Sequence, residues 1–290
     1  MRRIALLSTL IAVGATGIAA RQAGQQQQPQ IAEIEKVRDN LYMIKNGGGN
    51  TAVFITTKGV IVVDTKNPGW GDRIMEKIRS VTDKPVTTII NTHTHADHTG
   101  SNEAFPTSME IVAHENTKAN MEKMPAFQGD KAQFLPKKTY KDRLTLLGGA
   151  DQVDLYYFGR GHTNGDTIIV FPALRVAHTG DLFAAQGTPL IDMNNGGTGV
   201  EYPATLKKAA AGIKGVETVI PGHSAVTTWN AFVEYGDFNQ AFLSAVQQAI
   251  KDGKSEDDAA AALALPEKFK DYNMGRAKEN VTKIYGELKK

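Results

Sequence analysis

Residues 92–98 read Thr-His-Thr-His-Ala-Asp-His, so three of the seven histidines of the chain stand within one short run. His93 and His95 are two positions apart. On an extended segment both side chains point to one side and can bind one metal ion through two imidazoles. Asp97 and His98 follow directly, and by the same alternation they cannot all face that ion. The spacing therefore indicates a second metal position beside the first.

The ligand types in this run suit Zn²⁺, with Fe²⁺ or Mn²⁺ as alternatives. The chain has no cysteine, which excludes disulfides, thiolate zinc sites and a cysteine nucleophile. A histidine-rich tract can also be an adventitious metal binder or a solvated loop. Here, however, the run follows the apolar stretch Val86–Ile90 and precedes Thr99-Gly100. Because chemistry is commonly placed at the end of a buried strand, this position favours a functional site.

The elements that must position these side chains are apolar runs of strand length, which interleave with helical patterns in both halves of the chain. This alternation predicts an α/β fold with two sheets and outer helices. Further polar residues follow other apolar runs, each beside a glycine or small residue: Asp64, His162, Asp181 and His223. A fold that gathers its strand ends at one edge would bring them together with residues 93–98.

The gathered residues form a complete set of nitrogen and oxygen ligands for two metal ions. The predicted ligands are His93, His95 and His162 for one ion, Asp97, His98 and His223 for the other, and Asp181 as a carboxylate able to bridge them. Two other histidines are not needed for this set. We predict that His178, which lies within a strand, has a structural or supporting role, and that His114 is a polar support at the start of a helix.

The N-terminal residues indicate export. Arg2-Arg3 precedes an uncharged apolar and small-residue run, which predicts a secretory signal peptide over residues 1–20, with a membrane anchor as the alternative. Residues 21–32 include four consecutive glutamines and predict a disordered linker. The formal net charge of +2, with scattered basic residues, gives no nucleic-acid-binding stripe. We expect a periplasmic or secreted protein that acts on a small molecule and has no membrane attachment after cleavage.

Four motifs in order, T-H-T-H-A-D-H-T-G, G-H-T-N-G-D, T-G-D-L and P-G-H, resemble the successive motifs of the metallo-β-lactamase superfamily. The resemblance covers residues 33–225 and implies a catalytic domain with an αββα sandwich, two mixed sheets and a dinuclear site at one edge. It implies the same division of the seven ligands. Asp64, ending V-I-V-V-D-T, matches a family aspartate that supports the histidine loop from behind the metals. Helical patterns over residues 226–290 predict an extension packed on that domain.

Asp181 narrows the choice of branch within this superfamily, because many true metallo-β-lactamases have cysteine or serine at this position. An aspartate is similar to glyoxalase II, lactonases and related hydrolases, and with the leader the chain resembles exported β-lactamase-like hydrolases. Two zinc ions about 3.5–4 Å apart can hold a hydroxide between them at neutral pH and polarise a carbonyl. We therefore expect this bridging hydroxide to attack the acyl carbon of a lactam, lactone or thioester. Asp97 is the predicted catalytic residue, since it can orient the nucleophile or carry a proton.

Residues that contact a substrate are less clearly marked in the sequence than the metal ligands. Asn194, Asn195 and Tyr202 lie on or near the Gly- and Asn-rich loop at residues 186–200 and could supply a hydrogen-bond donor, although ordinary loop chemistry is the favoured alternative. Trp70 could line a substrate mouth or be a partly buried aromatic residue.

Three alternative functions stay open. The first is β-lactamase activity proper, which Asp181 puts in doubt. The second is an iron-dependent oxygenase of the persulfide dioxygenase type on the same fold, although that chemistry needs one metal and the chain offers ligands for two. The third is a non-catalytic metal-stabilised binding module, for which a bridging carboxylate would be unnecessary.

Overall fold

A computed structural model describes residues 31–289 of the chain. The predicted signal peptide, residues 1–20, and most of the predicted linker, residues 21–32, lie outside the described residues. Among the helices of residues 31–289, none combines the length and the apolar character that crossing a membrane requires.

Seven strands of the described chain form a first sheet whose spatial order follows the chain order. The strands are β1 (Glu33–Arg38), β2 (Leu41–Lys45), β3 (Thr51–Ile55), β4 (Val60–Val63), β5 (Val86–Ile90), β6 (Glu110–His114) and β7 (Lys138–Tyr140). Strands β1 to β4 pair antiparallel, whereas β4 to β7 pair parallel. Because the last residues of β4 and β5, Val63 and Ile90, are paired, Asp64 and the histidine run leave the sheet at the same edge.

Six strands of the described chain form a second sheet in the order β13-β12-β11-β10-β9-β8. They are β8 (Arg143–Leu146), β9 (Val153–Tyr156), β10 (Ile168–Phe171), β11 (Val176–Gly180), β12 (Thr218–Pro221) and β13 (Thr227–Thr228). Strands β11 and β12 are parallel, and Gly180 pairs with Pro221 at their ends. Asp181 and His223 therefore emerge side by side.

The two sheets enclose an apolar core between their inner faces. Alternate residues of a strand point to opposite faces, so Ile61 and Val63 of β4 enter this core while Val60 and Val62 pack outward. Phe54 of the first sheet meets Phe171 of the second with ring centroids 5.0 Å apart. Both faces of β4 are apolar because both are covered, which explains its uninterrupted V-I-V-V sequence.

Helices cover the outer face of each sheet. In chain order they are α1 (Gly71–Arg79), α2 (Ala96–Thr99), α3 (Glu115–Met121), α4 (Tyr202–Gly212), α5 (Trp229–Lys251), α6 (Glu256–Ala261) and α7 (Ala277–Leu288). Helix α1 buries Ile74 and Ile78 on the first sheet, and α4 and α5 bury Leu206 and Phe232 on the second. The arrangement confirms the predicted αββα sandwich with additional C-terminal helices.

Some elements differ from the sequence-based expectation. Strand β1, E-I-E-K-V-R, carries four charged residues, a composition suited to the exposed edge that it forms, and was not predicted as a strand. The short strands β7, β8 and β13 were also not predicted. The stretch from Pro125, expected to be a plain loop, contains two 3-10 turns, Pro125–Phe127 and Gly129–Phe134. The division into a domain at residues 33–225 and an extension at 226–290 stays a prediction.

Candidate metal centre

The histidine run changes conformation in its middle, and this change separates its ligands into two directions. His95 is extended, with φ −63° and ψ 147°, and directly precedes α2. The helical turn then begins, and the backbone N–H of His98 donates to the carbonyl of His95 at 3.0 Å. As a result Asp97 and His98 face a different point from His93 and His95, which accounts physically for a second metal position.

The structure brings all seven predicted ligands to one place at the edge of the two sheets. Within each of two groups, ligand atoms lie within 4.8 Å of one another: His93, His95, His162 and Asp181 in the first, and Asp97, His98 and His223 in the second. Asp181 reaches both groups, because its Oδ1 lies 3.2 Å from His98 Nε2 and its Oδ2 lies 3.8 Å from His162 Nε2. Asp181 therefore has the location of a bridging carboxylate.

Asp64 orients the histidines on one side of the centre. It is fully buried, and its Oδ2 accepts a hydrogen bond from His98 Nδ1 at 2.6 Å. The same carboxylate accepts from the backbone N–H and the hydroxyl of Thr92. Since the Thr92 hydroxyl proton is used in that bond, its oxygen accepts from His93 Nδ1 at 2.9 Å. Both rings thus have a proton at Nδ1, and His93 presents a free Nε2 lone pair to the centre.

Two groups of a single loop orient the other histidines. His95 Nε2 donates to Asp192 Oδ2 at 2.7 Å, and His162 Nδ1 donates to the carbonyl of Leu190 at 2.7 Å. These bonds leave His95 Nδ1 and His162 Nε2 as acceptors, 3.0 Å apart. Two lone pairs at that distance repel each other unless a proton or a cation lies between them.

The donor set fits a metal ion. The rings of His93, His95 and His162 meet pairwise edge-on, with centroids 4.9, 4.7 and 4.6 Å apart. Within the described residues, His93 Nε2 is buried without a hydrogen-bond partner. Buried polar atoms are nearly always satisfied, so an unpaired ring nitrogen facing two other lone pairs indicates that a cation completes the site.

Local electrostatics gives the first ligand group the protonation states that a cation requires. Burial, reinforced by the charges of neighbouring histidines, holds the pKa of His93 well below its usual value. Burial lowers the pKa of His162 to about 4, although Asp181 acts in the opposite direction. Burial acts to raise the pKa of Asp181, but His98 and His223 outweigh it and the pKa lies well below the ordinary range. In the first group, the neutral imidazoles of His93 and His162 therefore face an ionised carboxylate. In the second group, although burial acts to lower them, nearby carboxylates raise the pKa of His98 well above its usual value and that of His223 to about 9, so these two rings would release a proton when a cation binds.

The β2–β3 turn packs directly against the second group of ligands. A Cβ atom added to Gly49 would lie 2.1 Å from Cε1 of His98, and Gly48 has φ +123°. The backbone N–H of Gly49 donates to the carbonyl of Asp97 at 2.9 Å. The glycines at residues 47–49 therefore form a hairpin turn, and their lack of side chains allows this close approach.

A buried lysine holds this turn from below. Lys66 is fully buried, and its ammonium donates to the carbonyls of Ile44 and Gly49 at 2.9 and 2.8 Å. Burial lowers the pKa of Lys66 to about 7, although the nearby Asp64 carboxylate acts to raise it. This role of Lys66 could not be predicted from the sequence, because both of its partners are backbone carbonyls distant along the chain.

Lys66 should make the stability of the protein depend on pH. An unfolded lysine titrates near 10.4, so above pH 7 the unfolded chain binds more protons than the folded one, and stability rises with pH. The free energy of unfolding of the wild type, relative to Lys66→Met, should increase by about 2 kcal/mol between pH 7 and pH 9. Urea denaturation at both pH values measures this difference. A difference that stays constant, or falls, would contradict the buried, easily deprotonated lysine.

A cavity of about 660 Å³ opens above the ligands. His95, Asp97, Asp181 and His223 line its floor. Its walls come from the stretch at residues 184–190 and from a C-terminal stretch that includes Asn273 and Arg276. The cavity gives a small molecule access to both ligand groups.

The structure does not support the four predicted substrate contacts, none of which lines this cavity. Trp70 is buried, and a Cβ atom on Gly47 would lie 2.2 Å from its ring. Tyr202 is 1% exposed, and its hydroxyl donates to the carbonyl of Asp181. Asn194 and Asn195 donate to a carboxylate within their own turn. For all four residues, the observed contacts are those of the structural role that was the alternative to substrate binding.

The two histidines outside the ligand set have supporting roles, as predicted. His114 accepts from the backbone N–H of Asn116 at the start of α3 and donates to the carbonyl of Lys141. His178 donates to the carbonyl of Asn50 and accepts from the backbone N–H of Gly180. His178 therefore links the β2–β3 turn to the end of β11.

Asp192 is a functional residue that the sequence analysis missed. Besides His95, it accepts from the backbone N–H of Asn194 and from the Asn195 side chain, at 3.0 and 2.6 Å. In the sequence Asp192 begins the run Asp-Met-Asn-Asn-Gly, which is typical of a turn and does not indicate a partner 97 positions away.

Asp192→Asn should weaken metal binding at the first ligand group about tenfold. The amide can still accept from the turn, but its NH₂ group would face His95 Nε2–H, where an acceptor is needed. Competition for Zn²⁺ with a chelating dye measures the affinity, and Asp192→Ala shows the effect of losing both functions. If Asp192→Asn bound Zn²⁺ as tightly as the wild type, the orienting role would be wrong.

Comparison with known proteins points to one superfamily. The model of the metallo-beta-lactamase superfamily matches residues 44–241. A metallo-beta-lactamase type 2 from Elizabethkingia meningoseptica is 31% identical over 182 residues, which cover 58% of this chain and 67% of that protein. The 2,4-dinitroanisole O-demethylase subunit alpha of Nocardioides sp. (strain JS1661) is 31% identical over 172 residues. That match covers 58% of this chain and only 51% of the demethylase subunit, about half its length.

Solved structures share the fold. A metallo-beta-lactamase from Pontibacter korlensis superposes with a TM-score of 0.63 at 18% identity, covering 72% of this chain and 99% of that chain. DIM-1 metallo-beta-lactamase gives a TM-score of 0.59 at 19% identity, covering 71% and 97% of the two chains. At these identities the likeness concerns the fold alone.

Proposed function

Because the chain belongs to the metallo-β-lactamase superfamily, we propose that it is a dinuclear-metal hydrolase acting on an activated acyl bond of a lactam, lactone or thioester. The observation that carries this proposal is the pair of nitrogen and oxygen ligand groups joined by the Asp181 carboxylate beneath an open cavity. Zn²⁺ is the proposed metal, since the ligands are imidazoles and carboxylates, with Fe²⁺ or Mn²⁺ as alternatives.

Two divalent cations, when bound, would make hydroxide available at neutral pH and polarise the acyl oxygen of a substrate. The protein would hold them through His93, His95 and His162 on one side and Asp97, His98 and His223 on the other. Asp181 would lie between the two groups. A Cβ atom on Gly222 would lie 2.0 Å from Asp181 Oδ1, so the glycine of the P-G-H motif leaves room for this carboxylate.

Asp97 is the proposed catalytic residue. Its side chain is 32% exposed at the cavity floor, and its Oδ2 lies 3.3 Å from His223 Nε2. Burial acts to raise the pKa of Asp97, but the hydrogen bond from His223 and the charge of His98 outweigh it, and the pKa lies below its usual value. An ionised carboxylate in this position can orient the attacking water and accept its proton at Oδ.

A hydrolysis panel with metal analysis tests the proposal. The panel contains a chromogenic cephalosporin, a carbapenem, an acyl-homoserine lactone and a glutathione thioester. Because one relative is named as a 2,4-dinitroanisole O-demethylase, that ether is included as well. We expect two metals per chain and turnover of at least one acyl substrate, lost on chelation and restored by Zn²⁺.

Other outcomes would identify a different function. Cephalosporin and carbapenem hydrolysis at the highest kcat/KM would indicate a β-lactamase proper. One iron per chain with oxygen consumption would overturn the hydrolase proposal in favour of an oxygenase. Fully metallated protein without turnover of any compound would favour a binding module.

We also propose that the protein is exported to the periplasm or the medium. The basic start and uncharged run over residues 1–20 support this. Mass spectrometry of the protein isolated from its native host tests it, since an intact N-terminus on cytoplasmic protein would contradict cleavage and export.

A further inference from the structure

The loop at residues 186–199, here called the site loop, contributes to the first ligand group without supplying a ligand. It carries the Leu190 carbonyl and the Asp192 carboxylate that orient His162 and His95. The backbone N–H of Asp192 also donates to the carbonyl of His162 at 2.9 Å. The geometry of two metal-facing nitrogens therefore depends on where this loop lies.

The site loop has little regular structure to hold it in place. Within it, the 3-10 turn Met193–Asn195 spans three residues. Four of its residues are glycines, at positions 187, 196, 197 and 199, which favour many backbone conformations in the absence of external contacts. Its ordered path must come from contacts with another part of the chain.

The C-terminal segment at residues 273–287, here called the clamp, makes such contacts at several points of the loop, alongside contacts from residues 160–164. At the beginning of the loop, the backbone N–H groups of Asn273 and Thr188 donate to the carbonyls of Gln186 and Asn273 at 3.2 and 2.8 Å. In the middle, the Asn280 amide donates to the carbonyl of Pro189 at 2.9 Å.

The contacts continue next to Asp192 and to the end of the loop. The Lys283 ammonium donates to the carbonyl of Ile191 at 2.7 Å, one residue before Asp192. The Glu287 carboxylate accepts from the backbone N–H of Gly199 at 2.7 Å and from the hydroxyl of Thr198. Both of these side chains belong to helix α7.

Glycines occur where the loop and the clamp approach most closely. A Cβ atom on Gly187 would lie 2.5 Å from the carbonyl oxygen of Asn273, and one on Gly199 would lie 2.5 Å from the Ile284 side chain. These residues allow backbone and helix to meet at distances that any side chain would prevent.

We propose that the clamp, acting through the site loop, positions the first ligand group. Lys283 and Glu287 are the positioning residues, and they set the affinity of that group for metal. This inference rests on the proposed function in taking the ligands to bind metal. The family model ends at residue 241, so the clamp lies outside the matched region. The contacts that hold the second group do not include the clamp: Asp64 bonds to His98, and the backbone N–H of Gly49 donates to the carbonyl of Asp97.

Lys283→Met tests the proposal, because it keeps the aliphatic stem and removes the bond to Ile191. The variant is made in two backgrounds that each leave one ligand group complete. His223→Ala leaves the first group complete, and His162→Ala leaves the second. Zn²⁺ affinity is measured by competition with a chelator of known affinity, with no need for turnover.

We expect Lys283→Met to weaken Zn²⁺ binding about three- to tenfold in the His223→Ala background, less than loss of a direct partner, and to have no effect in the His162→Ala background. A merely structural role would weaken both backgrounds alike. Glu287→Ala, near the C-terminal end of α7, should give the same selective loss. It is the test variant if Lys283→Met does not fold. Lys278→Met is the matched control, since Lys278 lies on the same helix and pairs with Asp257 at the surface.

If the Lys283 and Glu287 variants bound Zn²⁺ as tightly as their parents, the proposed role of the clamp would be wrong, whatever reaction the protein catalyses. An equal loss in both backgrounds would overturn it too. Selective loss in a protein that hydrolyses nothing would support the clamp while contradicting the proposed hydrolase. A wild-type chain that binds no divalent metal would overturn both.

Discussion

Asp97→Ala should lower kcat/KM about a thousandfold and leave the fold intact, a loss typical of removing a group that handles the transferred proton. The variant loses both a ligand of the second group and the carboxylate that accepts the proton of the attacking water. The fold should survive because the side chain is partly exposed and its nearest partner, His223, belongs to the same site. Steady-state kinetics on the best substrate of the panel, with circular dichroism, measures both effects.

Two further variants make this test sharper. Asp97→Asn keeps the shape of the side chain and removes its charge, so activity should stay low even where two metals are retained. Asp72→Ala is the control, since Asp72 is an exposed aspartate in the first turn of another helix. Wild-type kcat in Asp97→Ala would rule out the proposed centre.

Asp64→Ala should destabilise the protein by about 3–5 kcal/mol, the range for removing one member of a buried ionic network. The substitution leaves the backbone N–H of Thr92, its hydroxyl and His98 Nδ1 without their acceptor in a fully buried position. Metal affinity should fall as well, since His93 and His98 both lose the contact that orients their rings. Urea denaturation of the metal-free protein isolates the stability effect.

Backbone strain has to be separated from this loss, because Asp64 has φ +62°. Asp39 also has positive φ but is exposed, so Asp39→Ala shows the cost of an alanine in such a conformation. We expect that control to change stability by less than about 1 kcal/mol. A similar small effect for Asp64→Ala would mean that the buried carboxylate contributes little.

The metal ligands could be predicted from the sequence for a physical reason. Buried strands leave apolar runs that are easy to recognise, and the residue that follows each run emerges at the sheet edge. His162, Asp181 and His223 were identified in this way, although they lie far apart in the chain. The switch of direction within the histidine run was also predictable, but its cause, the helical turn beginning after His95, was not.

The supporting residues could not be predicted in the same way. Asp192, Leu190 and Lys66 act through contacts with residues distant along the chain. The contacts of Leu190 and Lys66 involve backbone carbonyls, which carry no side-chain signal. For Trp70 and Tyr202 the sequence left substrate contact and a structural role open, because an aromatic residue near a site has the same sequence signature whether it faces the cavity or the core. Strand β1 was not predicted from the sequence, because edge strands tolerate charged residues.

The single carboxylate of Asp64 has a consequence for how the two metal positions communicate. It bonds to His98 directly and reaches His93 through the Thr92 hydroxyl, so one rigid group is shared by one ligand of each position. A shift of either ring on metal binding is transmitted to the other. Any resulting change of affinity must be reciprocal, since linkage between two equilibria has no direction. We therefore expect the affinity for one ion to depend on whether the other ion is bound.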